Sequence, residues 1–495
     1  MLIKIGCYVC HNTLFLFVID VGCITWLGFG IKCDMENFNL KNLKNKVVHF
    51  VGIGGISMSA LALMLKRNGV KVQGSNECEN DEVKRLQKRG VSVFVGHSKQ
   101  HLQNVDAVVY SSAIGDDNEE LVYARECGIL ILKRAELLGL IASGYKYVIS
   151  VAGSHGKTTA SAMIAEMFIK TGLKPTVHLG GVLNSLNTNC VIGNKRYFIT
   201  ESCEYKDNYL HLKPDISIIL NVDADHLDYF KTLDGVKESF FKFAKGTRFG
   251  GVNVVCSDDE NSKELLSLDN VLTFGFDKNA NIRAVKVREY KPCYYSFDVY
   301  FSGYRLGNVK LNIMGKHNVY NALAVIMVAI AFEIDFCDAK KAIENFSGVK
   351  RRCQKICERK GVSVFHDYAH HPKQIDEMLK LGKRMVAKNG GKVIVVFEPH
   401  TYSRTKFLID EFSKSLAGAD RVFLLPVYSA RENPVMGYDS LKLADETKKY
   451  NACVEYLESY EDAFRRVCED TKKGDVVLVL GAGTIVGFAD MFLAK

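Results

Sequence analysis

The stretch Tyr147-Val148-Ile149-Ser150-Val151-Ala152-Gly153-Ser154-His155-Gly156-Lys157-Thr158-Thr159 runs from an apolar, β-branched segment through a glycine turn into a helix-forming segment. A strand that ends in such a turn aims backbone N–H groups and the positive end of a helix dipole at one point, and that point suits a phosphate. Lys157 can reach the β- and γ-phosphates of a nucleotide, and the Thr158 hydroxyl can sit on Mg²⁺. The spacing departs from the standard Walker A loop, which needs glycine where Val151 stands. A glycine turn with no ligand does not explain Gly-Lys-Thr-Thr at a strand–helix junction. The stretch therefore predicts an α/β nucleotide-binding core.

Two acidic clusters follow on the same block. Glu201-Ser-Cys-Glu204 comes after a predicted strand Tyr197–Thr200, and Asn221-Val-Asp223-Ala-Asp225-His226-Leu-Asp228 after a predicted strand Ile216–Leu220. Carboxylate oxygens at the strand ends beside a phosphate loop suit Mg²⁺. Without that loop the second string reads as ordinary helix capping. Asn318 and Asn321, at the start of an apolar helix Ala322–Phe332, share one helical face and can pair with an adenine edge or simply cap the helix.

Outward from this core the chain keeps alternating short strands and amphipathic helices. The predicted organisation is three α/β domains: a Rossmann-like block over 35–144, a central P-loop ATPase-like block over 145–348 and a Rossmann-like, doubly wound block over 349–495. In the first, strand Val47–Val51 leads into Gly52-Ile53-Gly54-Gly55-Ile56-Ser57 and helix Met58–Asn68. Ser57 replaces the third glycine of a dinucleotide fingerprint, and the next strand ends in Gly74-Ser75-Asn76 with no acid for a ribose. A diphosphate ligand fits better there than NAD. The third block carries predicted strands Ser363–His366, Val393–Phe397, Arg421–Leu425 and Val476–Leu480. His366-Asp367-Tyr368-Ala369-His370-His371-Pro372 and Glu398-Pro399-His400-Thr401-Tyr402-Ser403-Arg404 lie at two of their ends. Arg351 and Arg352 fall at the joint before it, where they could bring cations onto a γ-phosphate.

The chain of 495 residues is 47% hydrophobic and 24% charged, as soluble globular proteins are, and is long enough for several cores. A net charge of +9 without a dense Lys/Arg run predicts anionic small ligands and no nucleic-acid partner. Fifteen scattered cysteines, among them the close pairs Cys7/Cys10 and Cys353/Cys357, form no disulfide or zinc framework and point to a reducing, cytoplasmic compartment. Residues 1–34 differ from the rest. Leu14–Ile31 is apolar, holds Trp26 and is interrupted by Asp20, which makes an anchor costly. We read 1–34 as extraneous and Met35 as the start of the enzyme, with no stable membrane association and a monomeric or weakly oligomeric state.

The strings VGIGGISMSALA, GSHGKTT, NVDADHLD, GKHNVYNA, GVKRR, DYAHHP and EPHTYSRT occur in an order that resembles the Mur ligases, and the resemblance covers the chain from Met35 onward. It implies ATP-dependent ligation of L-alanine to the carboxylate of UDP-N-acetylmuramate through an acyl phosphate, with ATP and Mg²⁺. Carried over, Gly52, Gly54, Gly55 and Ser57 would hold the UDP diphosphate, and Gly153, Ser154, His155, Gly156, Lys157, Thr158 and Thr159 the ATP phosphates. Thr158, Glu201 and His226 would serve Mg²⁺, Asn318 and Asn321 adenine, Asp367 the ATP ribose and Arg352 the γ-phosphate. Lys157, Glu201, His226 and Arg352 would be catalytic. Tyr368, His370, His400 and Arg404 would frame the alanine. Ser154 stands where many relatives have Thr, Thr401 where many have a second Arg, and Thr484 where Asp or Asn is usual; no role is attached to Thr484. A peptide-recycling ligase of the same family and a nicotinamide oxidoreductase are the alternatives. Folylpolyglutamate synthase lacks the first block, and a dead nucleotide-binding scaffold fits poorly with intact Lys157, His226 and Arg352.

Overall fold

Runs of β-branched residues buried on both faces pair as parallel strands, because the helices that connect them cover both sides of the sheet. In the computed structural model, which describes residues 3–10, 13–19, 43–430, 432–433 and 437–493, three such sheets form. A two-stranded antiparallel ribbon, Ile3–Cys10 with Thr13–Ile19, precedes them. The expected anchor and the expected start at Met35 both fall on a segment whose residues 20–42 lie outside the described residues. Among the described residues, no helix is long and apolar enough to cross a membrane.

The chain divides into two compact units. The first comprises Met1–Val287, Ser296–Asn312 and His317–Ser347. Its first sheet has five parallel strands in the order Ser92–Val95, Lys71–Asn76, Val47–Val51, Ala107–Tyr110 and Leu130–Lys133. Alternation along Val47–Val51 sends Val48 and Phe50 to one face, under helices Ile56–Arg67 and Arg134–Ser143, while Val51 packs with helix Glu119–Glu126 on the other. The first of these cores also takes in Val148, Phe198 and Leu212 from the central block. The two blocks thus share apolar surface and cluster as one unit. The central sheet carries strands Tyr147–Ala152, Tyr197–Glu201 and Ile216–Ile219 side by side and parallel, with helix Lys157–Lys170 leading out of the first.

The second unit comprises Arg288–Tyr295, Ile313–Lys316 and Gly348–Lys495. Its six strands run in the order Gln354–Arg359, Val362–Asp367, Val476–Leu480, Val393–Phe397, Arg421–Leu424 and Val454–Tyr456, parallel except for the first hairpin. Val393, Val395 and Phe397 face one core and Ile394 and Val396 the other, so the sheet is doubly wound. The pattern missed Gln354–Arg359 and Val454–Tyr456. Both are edge strands with polar, part-exposed sequences, and a strand covered on few sides needs little apolar signal.

Gly74 shows how tightly the first sheet meets its glycine loop. A Cβ there would stand 2.5 Å from the Phe50 carbonyl oxygen and 2.9 Å from Ile53 Cβ. Gly74→Ala is expected to destabilise the protein by about 1–3 kcal/mol, the usual cost of overpacking. Urea denaturation of the variant against the parent measures it.

Candidate functional site

The phosphate loop begins where Gly153 (φ +139°) and Gly156 (φ +85°) turn the chain through conformations that side chains disfavour. Gly156 precedes helix Lys157–Lys170 with no side-chain cap, so the first N–H groups of the helix are left for a ligand. Asn221, from the end of the neighbouring strand, holds the loop open. Its carbonyl accepts from the Ser154 N–H at 3.1 Å, its Oδ1 accepts from the His155 N–H at 2.8 Å, and its Nδ2 donates to the His155 carbonyl at 3.1 Å. The Ser154 hydroxyl accepts from the Asp223 N–H at 2.8 Å, and the exposed His155 ring lies 3.5 Å from the Asp223 carboxylate. Thr159 follows on the first turn of the helix.

The acidic clusters close on this loop. Lys157 Nζ donates to the Gly153 carbonyl at 2.5 Å and pairs with Glu204 Oε1 at 2.9 Å. The Thr158 hydroxyl donates to Glu201 Oε2 at 2.6 Å, and the Gly180 N–H donates to the same carboxylate's Oε1. Glu204, Asp225 and His226 each offer a ligand atom, all within 4.8 Å of one another, and the second oxygen of buried Glu204 has no hydrogen-bond partner. A buried carboxylate with one orphaned oxygen, whose other oxygen lies 3.8 Å from His226 Nε2 and beside the Asp225 carboxylate, fits a divalent cation. The sequence places Glu204 in an acidic cluster suited to Mg²⁺ but singles out only Glu201. The signal was present in the Glu201-x-x-Glu204 spacing, but only the turn after the strand brings both acids to the loop. Asn318 and Asn321 are buried on helix His317–Ala331, where the Asn321 amide donates to Asn318 Oδ1 at 2.8 Å and lies 3.0 Å from a Cβ built on Gly156.

The first glycine loop is built in the same manner. The N–H groups of Gly52 and Ile53 both donate to the Ser75 carbonyl at 2.9 Å, and the Gly54 N–H donates to Asn76 Oδ1 at 3.0 Å. Asn76 thus takes a structural task at the position where a dinucleotide site would have its acid. Gly55 is exposed at the start of the helix, and Ser57 reaches His178 and Arg134. Beneath the loop, buried Glu120 accepts from the Ser75 hydroxyl at 2.5 Å and from His101 Nδ1 at 2.8 Å, and His97 Nδ1 lies 3.1 Å from it. Burial pushes the Glu120 carboxyl up, but His49, whose Nε2 lies 3.4 Å away, and the hydrogen bonds from His97 and Ser75 outweigh it, and the group ends well below the carboxylate range.

The second unit gathers the third set. Asp367 accepts from the Cys353 and Ala369 N–H groups at 2.7 and 2.8 Å, and burial raises its pKa against the opposing pull of Arg352. Arg351 lies 4.7 Å over the Tyr368 ring and donates to the Gly481 and Gly483 carbonyls at 3.0 and 3.1 Å; exposed Arg352 lies 5.4 Å over the same ring. His370 Nδ1 bonds the Tyr368 carbonyl at 2.8 Å, and its ring centre is 6.2 Å from that of His400. Arg404 stands 3.2 Å from His400 Nδ1. Burial, then the Arg404 charge, lower the His370 pKa to about 4, and the same causes lower that of His400. Thr401 caps the helix that carries Arg404. Thr484 has a structural role after all: its hydroxyl donates to buried Glu398 at 3.0 Å, which also takes the Ile485 N–H and the Tyr460 hydroxyl.

Family models for the Mur ligase family catalytic domain, the Mur ligase middle domain and the Mur ligase glutamate ligase domain match residues 47–146, 151–329 and 351–483. The UDP-N-acetylmuramate–L-alanine ligase of Clostridium acetobutylicum is 40% identical over 461 residues, 93% of this chain and 100% of that protein. The chain belongs to the Mur ligase family. Another Mur ligase, the UDP-N-acetylmuramate–L-alanine ligase of Caldicellulosiruptor bescii, is 41% identical over 90% of this chain and 98% of its own length. The crystal structure of the UDP-N-acetylmuramate-alanine ligase from Thermotoga maritima superposes with a TM-score of 0.76 at 30% identity, covering 90% of this chain and 98% of that one. A murein peptide ligase from Psychrobacter arcticus, at 24% identity and a TM-score of 0.68, shares the fold.

Buried His178 and His366 and half-buried His370 make the stability of this Mur ligase depend on pH. His178 is lowered to about 3, and His366 and His370 to about 4, chiefly by burial. Their unfolded values lie near 6.5, so between 6.5 and 4 the unfolded chain binds more protons than the folded one. Stability held above pH 6.5 is therefore lost as pH falls through that window. The urea midpoint should drop on going from pH 7 to pH 5, and the His370 ring resonances should show no titration over that interval by NMR.

Proposed function

We propose that this Mur ligase joins L-alanine to the carboxylate of UDP-N-acetylmuramate with cleavage of ATP to ADP and phosphate, a step of peptidoglycan precursor synthesis in the cytoplasm. The observation that carries the reading is the 40% identity to a ligase of that name over the whole length of that protein. Residues 35–144 are assigned to the UDP-sugar, 145–348 to ATP and 349–495 to the amino acid.

The loop N–H groups and Lys157 hold the nucleotide phosphates, with Asn318 and Asn321 at the adenine, Asp367 at the ribose and Arg352 on the γ-phosphate. The glycine loop at Gly52, Gly54 and Gly55, with Ser57 and the start of the helix that follows, holds the UDP diphosphate. Thr158, Glu201, Glu204 and His226 would hold Mg²⁺, which when bound neutralises charge on the phosphoryl oxygens. A muramoyl carboxylate oxygen attacks the γ-phosphorus, ADP leaves, and an acyl phosphate forms. The alanine amine then attacks the acyl carbon, and the tetrahedral species expels phosphate as the amide forms. Arg404 supplies a cation for the alanine carboxylate, with Tyr368 and His400 lining the site. His370, kept neutral by desolvation and by the Arg404 charge, lines the same site, and the proton that the ammonium must lose passes to solvent.

Purified protein with UDP-N-acetylmuramate, ATP and Mg²⁺ should release phosphate only when L-alanine is added. No alanine-dependent release would falsify the assignment, and release that requires a tripeptide and anhydromuramate instead would identify a recycling ligase. Lys157→Ala should lower kcat by roughly 10²–10³-fold, the usual cost of removing one preorganised contact to developing charge. Glu204→Gln should raise the Mg²⁺ concentration for half-maximal rate by on the order of tenfold, read from a Mg²⁺ titration at saturating ATP.

A further inference from the structure

His178 belongs to none of the sets above, yet it is the residue that joins two of them. It sits on strand Thr176–Leu183, 3% exposed, between the glycine-loop helix and the strand that ends in Glu201. Its Nε2 lies 2.9 Å from the Ser57 hydroxyl and its Nδ1 3.0 Å from the hydroxyl of fully buried Thr200. Thr200 donates in turn to the Glu201 carbonyl at 3.1 Å, and Arg134 donates to Ser57 Oγ at 3.3 Å.

Donor bookkeeping leaves one direction for this chain. A carbonyl only accepts, so the Thr200 proton points to Glu201 and Thr200 Oγ1 must accept from His178 Nδ1–H. A neutral ring protonated at Nδ1 has an acceptor at Nε2, and the Ser57 hydroxyl fills it. Arginine only donates, so Ser57 receives Arg134 on a lone pair. The helix start that bears Ser57 is held a second time by Asn189, whose Nδ2 donates to the Ile56 carbonyl at 2.8 Å. The contacts therefore join two surfaces already held in place, and each arm of the ring ends on one of the two substrate sites.

We propose that His178 is a positioning residue that sets the diphosphate-facing helix start in register with the strand end bearing Glu201. Its Ser57 arm serves nucleotide-sugar binding and its Thr200 arm serves turnover. The proposal rests on the function given above, which assigns Gly52–Ser57 to the UDP-sugar and Glu201 to the metal.

The two arms can be cut separately, because an asparagine amide nitrogen falls near the place of Nδ1 and a glutamine amide near that of Nε2. His178→Asn keeps the Thr200 arm and loses Ser57; His178→Gln keeps Ser57 and loses Thr200. In steady-state assays of the full chain, His178→Asn should raise KM for UDP-N-acetylmuramate about tenfold with kcat within about twofold, the scale of one lost buried hydrogen bond. His178→Gln should do the reverse, lowering kcat about tenfold with that KM within about twofold, and Thr200→Val should reproduce it by cutting the same arm at its other end. Should either histidine variant fail to fold, Thr200→Val alone decides: a change in KM rather than kcat overturns the proposal. Variants that move both parameters together, or neither, overturn it too. Wild-type enzyme run alongside separates the two claims, since absence of alanine-dependent turnover there defeats the function, whereas its presence without the split defeats only the relay.

Discussion

A helix that is to receive an anion at its N-terminus cannot be capped by its own chain, and helix Lys157–Lys170 starts from an uncapped, left-handed Gly156. The open donors must nevertheless be held in place, and Asn221 does this from the next strand through three hydrogen bonds to Ser154 and His155. This in turn requires Tyr147–Ala152 and Ile216–Ile219 to be adjacent and parallel, as they are in the central sheet. The same parallel register places Glu201 at the end of the strand on the other side.

Charge management follows from that geometry. Lys157 sits amid carbonyl oxygens and Glu204, and a half-buried cation without such partners would be costly. Glu204 keeps one oxygen unpartnered, while the oxygen paired with Lys157 also lies 3.8 Å from His226 Nε2. Elsewhere the fold keeps imidazoles neutral by desolvating them, at buried His178 and His366 and at half-buried His370. Glu120 is the opposite case, a buried carboxylate that stays ionised because three histidines and Ser75 surround it.

In the second unit the rigid element is again a loop after a strand. Glu398 ties down Gly481–Ile485 by way of Thr484, Ile485 and Tyr460, while Arg351 takes the Gly481 and Gly483 carbonyls from the other side. A hydroxyl at position 484 is enough for this, since Glu398 needs only a donor there.

Local backbone form was legible in the sequence wherever a motif is contiguous. The strand–loop–helix at Gly153, the glycine loop at Gly52 and the histidine-bearing loops at His366 and Glu398 each need only neighbouring residues, since backbone direction and side-chain type decide them. Central strands were legible for the same reason, because burial on both faces demands a continuous apolar run; the edge strands Gln354–Arg359 and Val454–Tyr456 were not. Tertiary structure alone decided the pairings across long separations: Lys157 with Glu204, Asn221 with the loop, Asn76 with Gly54, and His178 between Ser57 and Thr200. None of these has a sequence period or spacing to reveal it. Each is set by which strands lie side by side, and that order is chosen by burial of the whole sheet rather than by the residues that meet at its ends.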